Sequence, residues 1–199
     1  MDFVNTLVYG QGMNRSMDEQ TTRDRLTRTA WLDHGLRMLA RQGAAALKVG
    51  DLAAGLNVSR GSFYWHFKDI GDFRLQLLER WQERTTDQVL EQTDASTTGA
   101  ARLTHLMKLA FNEDRSLDRS IRAMASTDPA IAKMVASVDA RRIAYMAKVL
   151  TEARVETHRA LSRAEFLYWA YIGQSAVMDP RHVSMTERDI EDLSALFAR

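Results

Sequence analysis

The chain has 199 residues, of which 45% are hydrophobic and 27% charged, with no cysteine and a formal net charge of +1. That supplies apolar material for a sizeable core, in one large domain or two small ones, and excludes disulfides and thiolate metal sites. The near-zero charge gives no general attraction to nucleic acid, so any such footprint must be a local patch.

Only two prolines and long helix-period stretches predict an all-α chain. No run of about eighteen apolar residues predicts a membrane span. A basic region followed by an apolar run is missing at the N-terminus, so no secretory leader is expected and the expected location is the cytoplasm.

Residues 1–20 show no sustained period and read as an irregular arm, with Met13 and Met17 as alternative starts. A helix is expected from about Thr22 to Gln42. Trp31, Leu32, Leu36 and Leu39 form its apolar stripe and Gly43 its stop. Gly35 costs helix propensity, which close packing against the next two helices would explain.

The run from Leu47 to Phe67 reads as two short helices joined by a tight turn. Val49, Leu52, Ala53 and Leu56 keep one face of the first turned inward. Asn57 can adopt the left-handed conformation that ends a helix, Val58 plugs the corner, and Ser59 is a good N-cap for the second. That second helix, Arg60 to Phe67, sets Phe63 and Phe67 on one face. Arg60, Gly61, Ser62, Tyr64, Trp65 and His66 are left to reach elsewhere, beside Lys68, a set suited to phosphates and base edges.

Asp51-Leu52-Ala53 followed by Asn57-Val58-Ser59-Arg60-Gly61-Ser62-Phe63-Tyr64-Trp65-His66-Phe67-Lys68 resembles the DNA-binding segment of the tetracycline-repressor (TetR) family, whose pattern is roughly D-I-A-x-x-x-G-V-S-x-G-x-[LFI]-Y-x-[HY]-F. The resemblance extends from about Trp31 to Phe73. It implies that Tyr64 and His66 contact phosphates and that Arg60, Ser62 and Trp65 face bases. Gly61 would allow close approach to the groove; Ser59, Lys48 and Lys68 complete the DNA-binding set. The family usually places a phosphate-holding lysine where this chain has Ile70, so Lys68 would have to substitute from the preceding turn.

Asp69 is a candidate N-cap for a fourth helix running to about Glu91, long enough to bridge the small N-terminal domain to the rest. A polar linker from Gln92 to Gly99 follows, then helical runs at about Ala100–Asn112, Ser116–Ser126 and Pro129–Arg154. The proline suits the first position of its helix. The last pair is expected at about Arg163–Met178 and Met185–Ala198. The first of these is apolar nearly all round, which suits a helix packed on its own core and on a second copy. Phe166, Ala170, Gly173, Val177, Ile190, Leu193 and Phe197 are the expected dimer contacts.

Trp81, Met107, Phe111, Met124, Met134, Tyr145, Met146 and Trp169 are spread over five of these helices. They are either core or, as the resemblance implies, the lining of an apolar effector cavity; methionine suits sites that accept varied ligands. Arg122 and Asp139 could form an ion pair between helices, or Asp139 could pair with Arg142 three residues on. His34, His105, His158 and His182 lie at no metal-ligand spacing. The sequence contains no nucleophile elbow, Walker loop or dinucleotide fingerprint. No catalytic residue, metal or cofactor is expected.

The expected architecture is a three-helix DNA-binding domain over 21–68 and a helical effector-binding and dimerisation domain over 69–199, about nine helices in all. The expected partners are a palindromic double-stranded operator, a small effector and a second copy, with no membrane. Two rivals stand beside this: a helical ligand-binding or interaction protein of the same fold without sequence-specific DNA binding, and a helical-bundle enzyme.

Overall fold

The computed structural model describes residues 26–96, 99–112, 114–177 and 185–199, so the expected arm at 1–20 lies outside the described residues. Among the described residues the chain forms nine α-helices and no strand. Helix α1 is Arg28–Gln42, α2 Val49–Gly55 and α3 Arg60–Tyr64, with a short 3-10 turn at Ala44–Ala46 between the first two. Helix α4 begins as Ile70–Gln82, passes through a π-helical turn at Glu83–Asp87 and continues as Gln88–Ser96. Then follow α5 (Gly99–Asn112), α6 (Ser116–Ala125), α7 (Pro129–Glu152), α8 (Thr157–Val177) and α9 (Glu187–Phe197).

Local chemistry sets most of these boundaries. Thr27 caps α1 by accepting from the Ala30 N–H, so the helix starts later than the expected Thr22, and Gly43 ends it at φ 74°. Asp69 caps α4 through the Asp72 N–H, and Asp128 caps α7 ahead of Pro129. A reciprocal capping box between Thr186 and Asp189 opens α9. Asn57 takes φ 55° in the turn of the helix-turn-helix. Ser59 stands at the N-cap of α3, but its side chain accepts no capping bond there, contrary to expectation. The expected linker from Gln92 to Gly99 is helical as far as Ser96, and α8 starts six residues before the expected Arg163. The polar run Thr157 to Arg159 hid that first turn, whose fourth residue, Ala160, is buried.

Two apolar clusters hold these helices together. One joins Trp31, Leu36, Phe63, Phe67, Phe73, Leu77 and Trp81 to Ile121, Met124, Ile131, Val135 and Val138. It therefore crosses the expected boundary at residue 68, tying the first three helices to α6 and the start of α7. Edge-to-face and tilted rings 4.9–5.5 Å apart link Trp31, Phe63, Phe67 and Phe73 at its centre. A Cβ on Gly35 would sit 2.6 Å from Phe73 Cζ and 3.0 Å from Leu77 Cδ1. The close approach is thus to α4 rather than to the next two helices. The other cluster gathers Leu103, Met107, Tyr145, Met146, Val149, Leu150, Leu167 and Ile190 from α5, α7, α8 and α9.

Candidate functional site

Helix α3 is fastened from behind. Phe63 and Phe67 are buried under it, and Arg28 donates from Nη2 to the His66 carbonyl at 2.8 Å while lying over the Phe67 ring. Sequence reasoning missed Arg28, which lies at the exposed start of α1, outside the motif. With the inner face held, the outer face is free. Trp65 is 88% exposed, Tyr64 is 59% exposed, and Lys48, Ser59, Arg60, Gly61 and Lys68 are exposed around them. Ser62 and His66 are half-buried at the margin. A Cβ on Gly61 would meet only Ser59 Oγ, at 3.6 Å, so that side is open to close approach. Helix α3 ends at Tyr64 rather than at Phe67; the backbone turns through Trp65 and His66, where the N–H groups of His66 and Phe67 both donate to the Phe63 carbonyl.

The start of α4 is acidic. Asp69 accepts the Asp72 N–H and Asp72 accepts the Lys68 N–H, both at 2.9 Å, and the bonds from the Lys68 N–H and the Gln76 amide hold the Asp72 carboxyl below its ordinary range. The Asp69 carboxylate thus occupies one of the N–H groups that an anion would seek at this helix N-terminus, and the Asp72 carboxylate stands beside it. Ile70 is half-buried against the first cluster. Lys68 is exposed at this corner.

Behind these elements a cavity of about 160 Å³ opens between α4, α5, α6, α7 and α8. Trp81, Thr85, Thr86, Val89 and Leu90 come from α4, and Leu106, Met107, Leu109, Ala110 and Phe111 from α5. Asp114, Arg115, Leu117 and Asp118 come from the loop and α6, Arg142, Tyr145 and Met146 from α7, and Leu167, Tyr168 and Tyr171 from α8. Of the eight expected liners, Trp81, Met107, Phe111, Tyr145 and Met146 lie here. Met124 and Met134 pack in the first cluster instead, because α6 and the start of α7 turn that face toward α1. Trp169 is 65% exposed on the opposite side of α8.

The polar wall of the cavity is internally bonded. Arg142 donates from Nε to Thr86 Oγ1 and from Nη2 to Thr85 Oγ1, each at 2.9 Å, with a further bond from Nη2 to the Thr85 carbonyl at 3.3 Å. Its Nη1 lies 3.4 Å from Asp118, and the guanidinium lies over Trp81. Arg142 therefore clasps the π-turn of α4, the kind of helix irregularity often found at functional sites. Arg122 binds Asp139 through two bonds, of 2.7 and 3.0 Å, and Tyr168 donates to the same carboxylate at 2.6 Å. The interhelical pairing of Arg122 and Asp139 is thus the one formed, and Arg142 pairs with Asp118. Burial works against the charge on Asp139, yet the bonds from Arg122 and Tyr168 hold its carboxyl below the usual range. Burial and the Asp139 carboxylate push the Tyr168 phenol up. The sequence offered a weak signal for Arg142 and Asp118: each falls on the inward side of its helix.

On α8 and α9, Phe166 is 57% exposed and stacks on Phe197 at 5.9 Å, and Leu161, Trp169, Ala170 and Leu196 are exposed beside it. Gly173 is half-buried, with nothing within 4 Å of where a Cβ would sit. Leu193 is half-buried against the second cluster. Ile190, expected at the dimer contact, is wholly buried in its own chain because α9 turns it onto α5 and α8. Val177 ends α8, and its side chain lies outside the described residues.

Residues 32–77, spanning most of α1 to the first half of α4, match the family model described as bacterial regulatory proteins, tetR family. Over these residues the chain is similar to the tetR family of bacterial regulatory proteins. The HTH-type transcriptional regulator AcrR of Shigella flexneri is 40% identical over 53 residues, which is 27% of this chain and 25% of that relative. The match thus spans about a quarter of the curated relative.

Likeness to solved structures runs further along the chain. The reduced form of E. coli NemR superposes with a TM-score of 0.69 at 19% identity, covering 85% of this chain and 94% of that one. A Saccharomonospora viridis transcriptional regulator in complex with choline gives 0.67 at 17%, over 85% and 94%. AibR in complex with isovaleryl coenzyme A and operator DNA gives 0.62 at 13%, over 85% and 96%. At these identities the likeness establishes the fold. Among the described residues no helix is long and apolar enough to cross a membrane, and no three His, Asp or Glu side chains converge as a metal site.

Proposed function

We propose that the protein is a cytoplasmic, ligand-responsive transcriptional repressor that binds a palindromic operator as a homodimer and releases it when a small, apolar effector enters the cavity. The observation that carries this reading is the outer face of α3. Trp65 and Tyr64 stand in solvent beside Arg60, while Phe63 and Phe67 anchor the helix from behind. Exposing a large aromatic group forgoes about 1.5–3 kcal/mol of burial, which a bound partner restores. Arg60, Ser62 and Trp65 would read base edges, and Tyr64, His66, Lys48 and Lys68 would hold phosphates. In the dimer, Phe166, Trp169, Ala170 and Phe197 would meet their copies. The two reading helices would then lie about one turn of DNA apart, ~34–36 Å, or somewhat more.

Helix α4 connects the two activities. Its first half carries Phe73 and Leu77 against Gly35 of α1, and Arg80 is bonded to Asp33 at 3.0 Å. Its second half walls the cavity, and the π-turn held by Arg142 lies between. A ligand that favours one setting of this helix shifts the spacing of the reading heads, and the operator disfavours that ligand to the same degree.

Selection of DNA from a random pool, with and without candidate metabolites, tests the proposal. A two-fold symmetric motif is expected, and Tyr64→Ala should weaken binding to all sequences about equally. One specific observation favours a second reading, that of a ligand-binding protein without sequence-specific DNA recognition. Ile70 and two carboxylates stand where a phosphate clamp would be. Recovery of no enriched motif would decide for it.

A further inference from the structure

We propose that the cavity accepts an uncharged aromatic molecule of one or two rings and discriminates against both cations and anions. This rests on reading the cavity as the effector site. Its volume, about 160 Å³, is close to that of an engineered cavity of ~150 Å³ that stays dry and takes up benzene. Leucine, valine and methionine side chains make up most of the remaining wall, and five aromatic rings line it, offering edges and faces to a flat ligand.

A ring of tyrosines and tryptophan with nearby aspartates would ordinarily suit a cation. Here those faces are already occupied. Arg142 lies 5.3 Å from the Trp81 ring centre, and Arg115 lies 5.4 Å from that of Phe111 and 4.7 Å from that of Tyr171. Asp118 is shared between Arg142 and Arg122 at 3.4 Å each. An incoming cation would meet two guanidinium groups and a carboxylate already paired.

An anion fares no better. Arg142 directs its donors at Thr85, Thr86 and Asp118. Arg115 directs its own at Gln174 Oε1 (2.9 Å), the Tyr171 carbonyl (3.3 Å) and the Ala110 carbonyl. Drawing either guanidinium onto a ligand strands acceptors in the protein interior, a cost comparable to the bond gained. The lining residues contribute two acids, Asp114 and Asp118, and two arginines, Arg115 and Arg142, and so carry no net charge. The uncharged ligand leaves all of these bonds in place.

The test uses calorimetric titration of the full chain without DNA. Indole and toluene serve as neutral probes, benzyltrimethylammonium as the cation and benzoate as the anion. Saturable binding of the neutral probes is expected, at least ~tenfold tighter than either charged one. Filling the cavity with Met107→Trp, or with Ala110→Leu should the first variant fail to fold, should weaken indole at least ~tenfold.

Equal or tighter binding of benzoate or the cation would overturn the proposal. So would the absence of saturable binding by any probe, or indole binding unchanged in a folded, filled variant. The operator selection is read separately. Indole binding without a selected motif would support the ligand class and count against regulation of DNA; a selected motif without indole binding would overturn the ligand class alone.

Discussion

The outer face of α3 and the wall of the cavity draw on the same residue types, arginine, tyrosine and tryptophan, and deploy them in opposite ways. On α3 the side chains of Arg60, Tyr64 and Trp65 make no hydrogen bond or ion pair to the rest of the chain among the described residues, and all three stand in solvent. In the cavity Arg142 bonds two hydroxyls, a carbonyl and a carboxylate while covering a tryptophan, and the lining Tyr168 closes on Asp139 and Arg122 behind it. One region is left unfinished for a partner to complete, and the other is finished from within. A surface of the first kind suits a polyanion, whose charges need unengaged donors. A pocket of the second kind suits a ligand that asks for none.

The contrast can be broken at three points. The largest effect is expected at the platform. Phe63→Ala removes a fully buried ring that touches Trp31, Phe67 and Phe73, and should cost about 3–5 kcal/mol in urea unfolding. DNA binding should be lost with it, because the exposed face rests on that ring. Next comes the cavity network. Asp139→Asn should cost about 2–3 kcal/mol at neutral pH, less than a deeply buried pair because both side chains are about a quarter exposed.

That loss has a pH signature. The folded carboxyl titrates below its unfolded value, so its contribution is complete above about pH 4 and disappears as the pH falls through the lower folded value. The gap between wild type and Asp139→Asn should therefore narrow in acid, as read by urea titrations at pH 7 and near pH 3.

The smallest effect sharpens the comparison. Arg60→Ala or Trp65→Ala should relax preference at particular base pairs by about 1–3 kcal/mol, while unfolding free energy moves by no more than about 0.5 kcal/mol. A larger loss of stability would show that these residues serve the chain itself, and the two regions would no longer differ in kind.

The same contrast decides what could be read from the residues alone. The reading helix is local. Its anchors, turn and outward side chains fall within one run from Leu47 to Phe67, so spacing reveals them. Helix starts marked by Asp69 and Pro129, the stop at Gly43 and the left-handed Asn57 are local in the same sense.

The cavity is assembled from five helices, and no spacing within one helix says which of two cores a residue joins. Met124 and Met134 have the pattern of cavity liners, yet their helices also face α1 and bury them there. Ile190 shares a seam with Leu193 and Phe197, but that seam turns inward at Ile190. Thr85 and Thr86 carry no periodic signal at all. Their importance comes from a helix irregularity and from an arginine more than fifty residues away.

That irregularity has a consequence for chain length. A π-turn accommodates one residue more than a regular helix would hold, and absorbs it without turning the flanking halves relative to each other. Each residue of an α-helix advances the chain by about 100°. A single deletion between Glu83 and Asp87 would therefore restore a regular helix with Phe73 and Leu77 still facing α1 and Val89 and Leu90 still facing the cavity. A deletion a turn or more away on either side would swing one half out of register with its core. Helix α4 thus has one short window in which it can lose a residue and keep both of its allegiances.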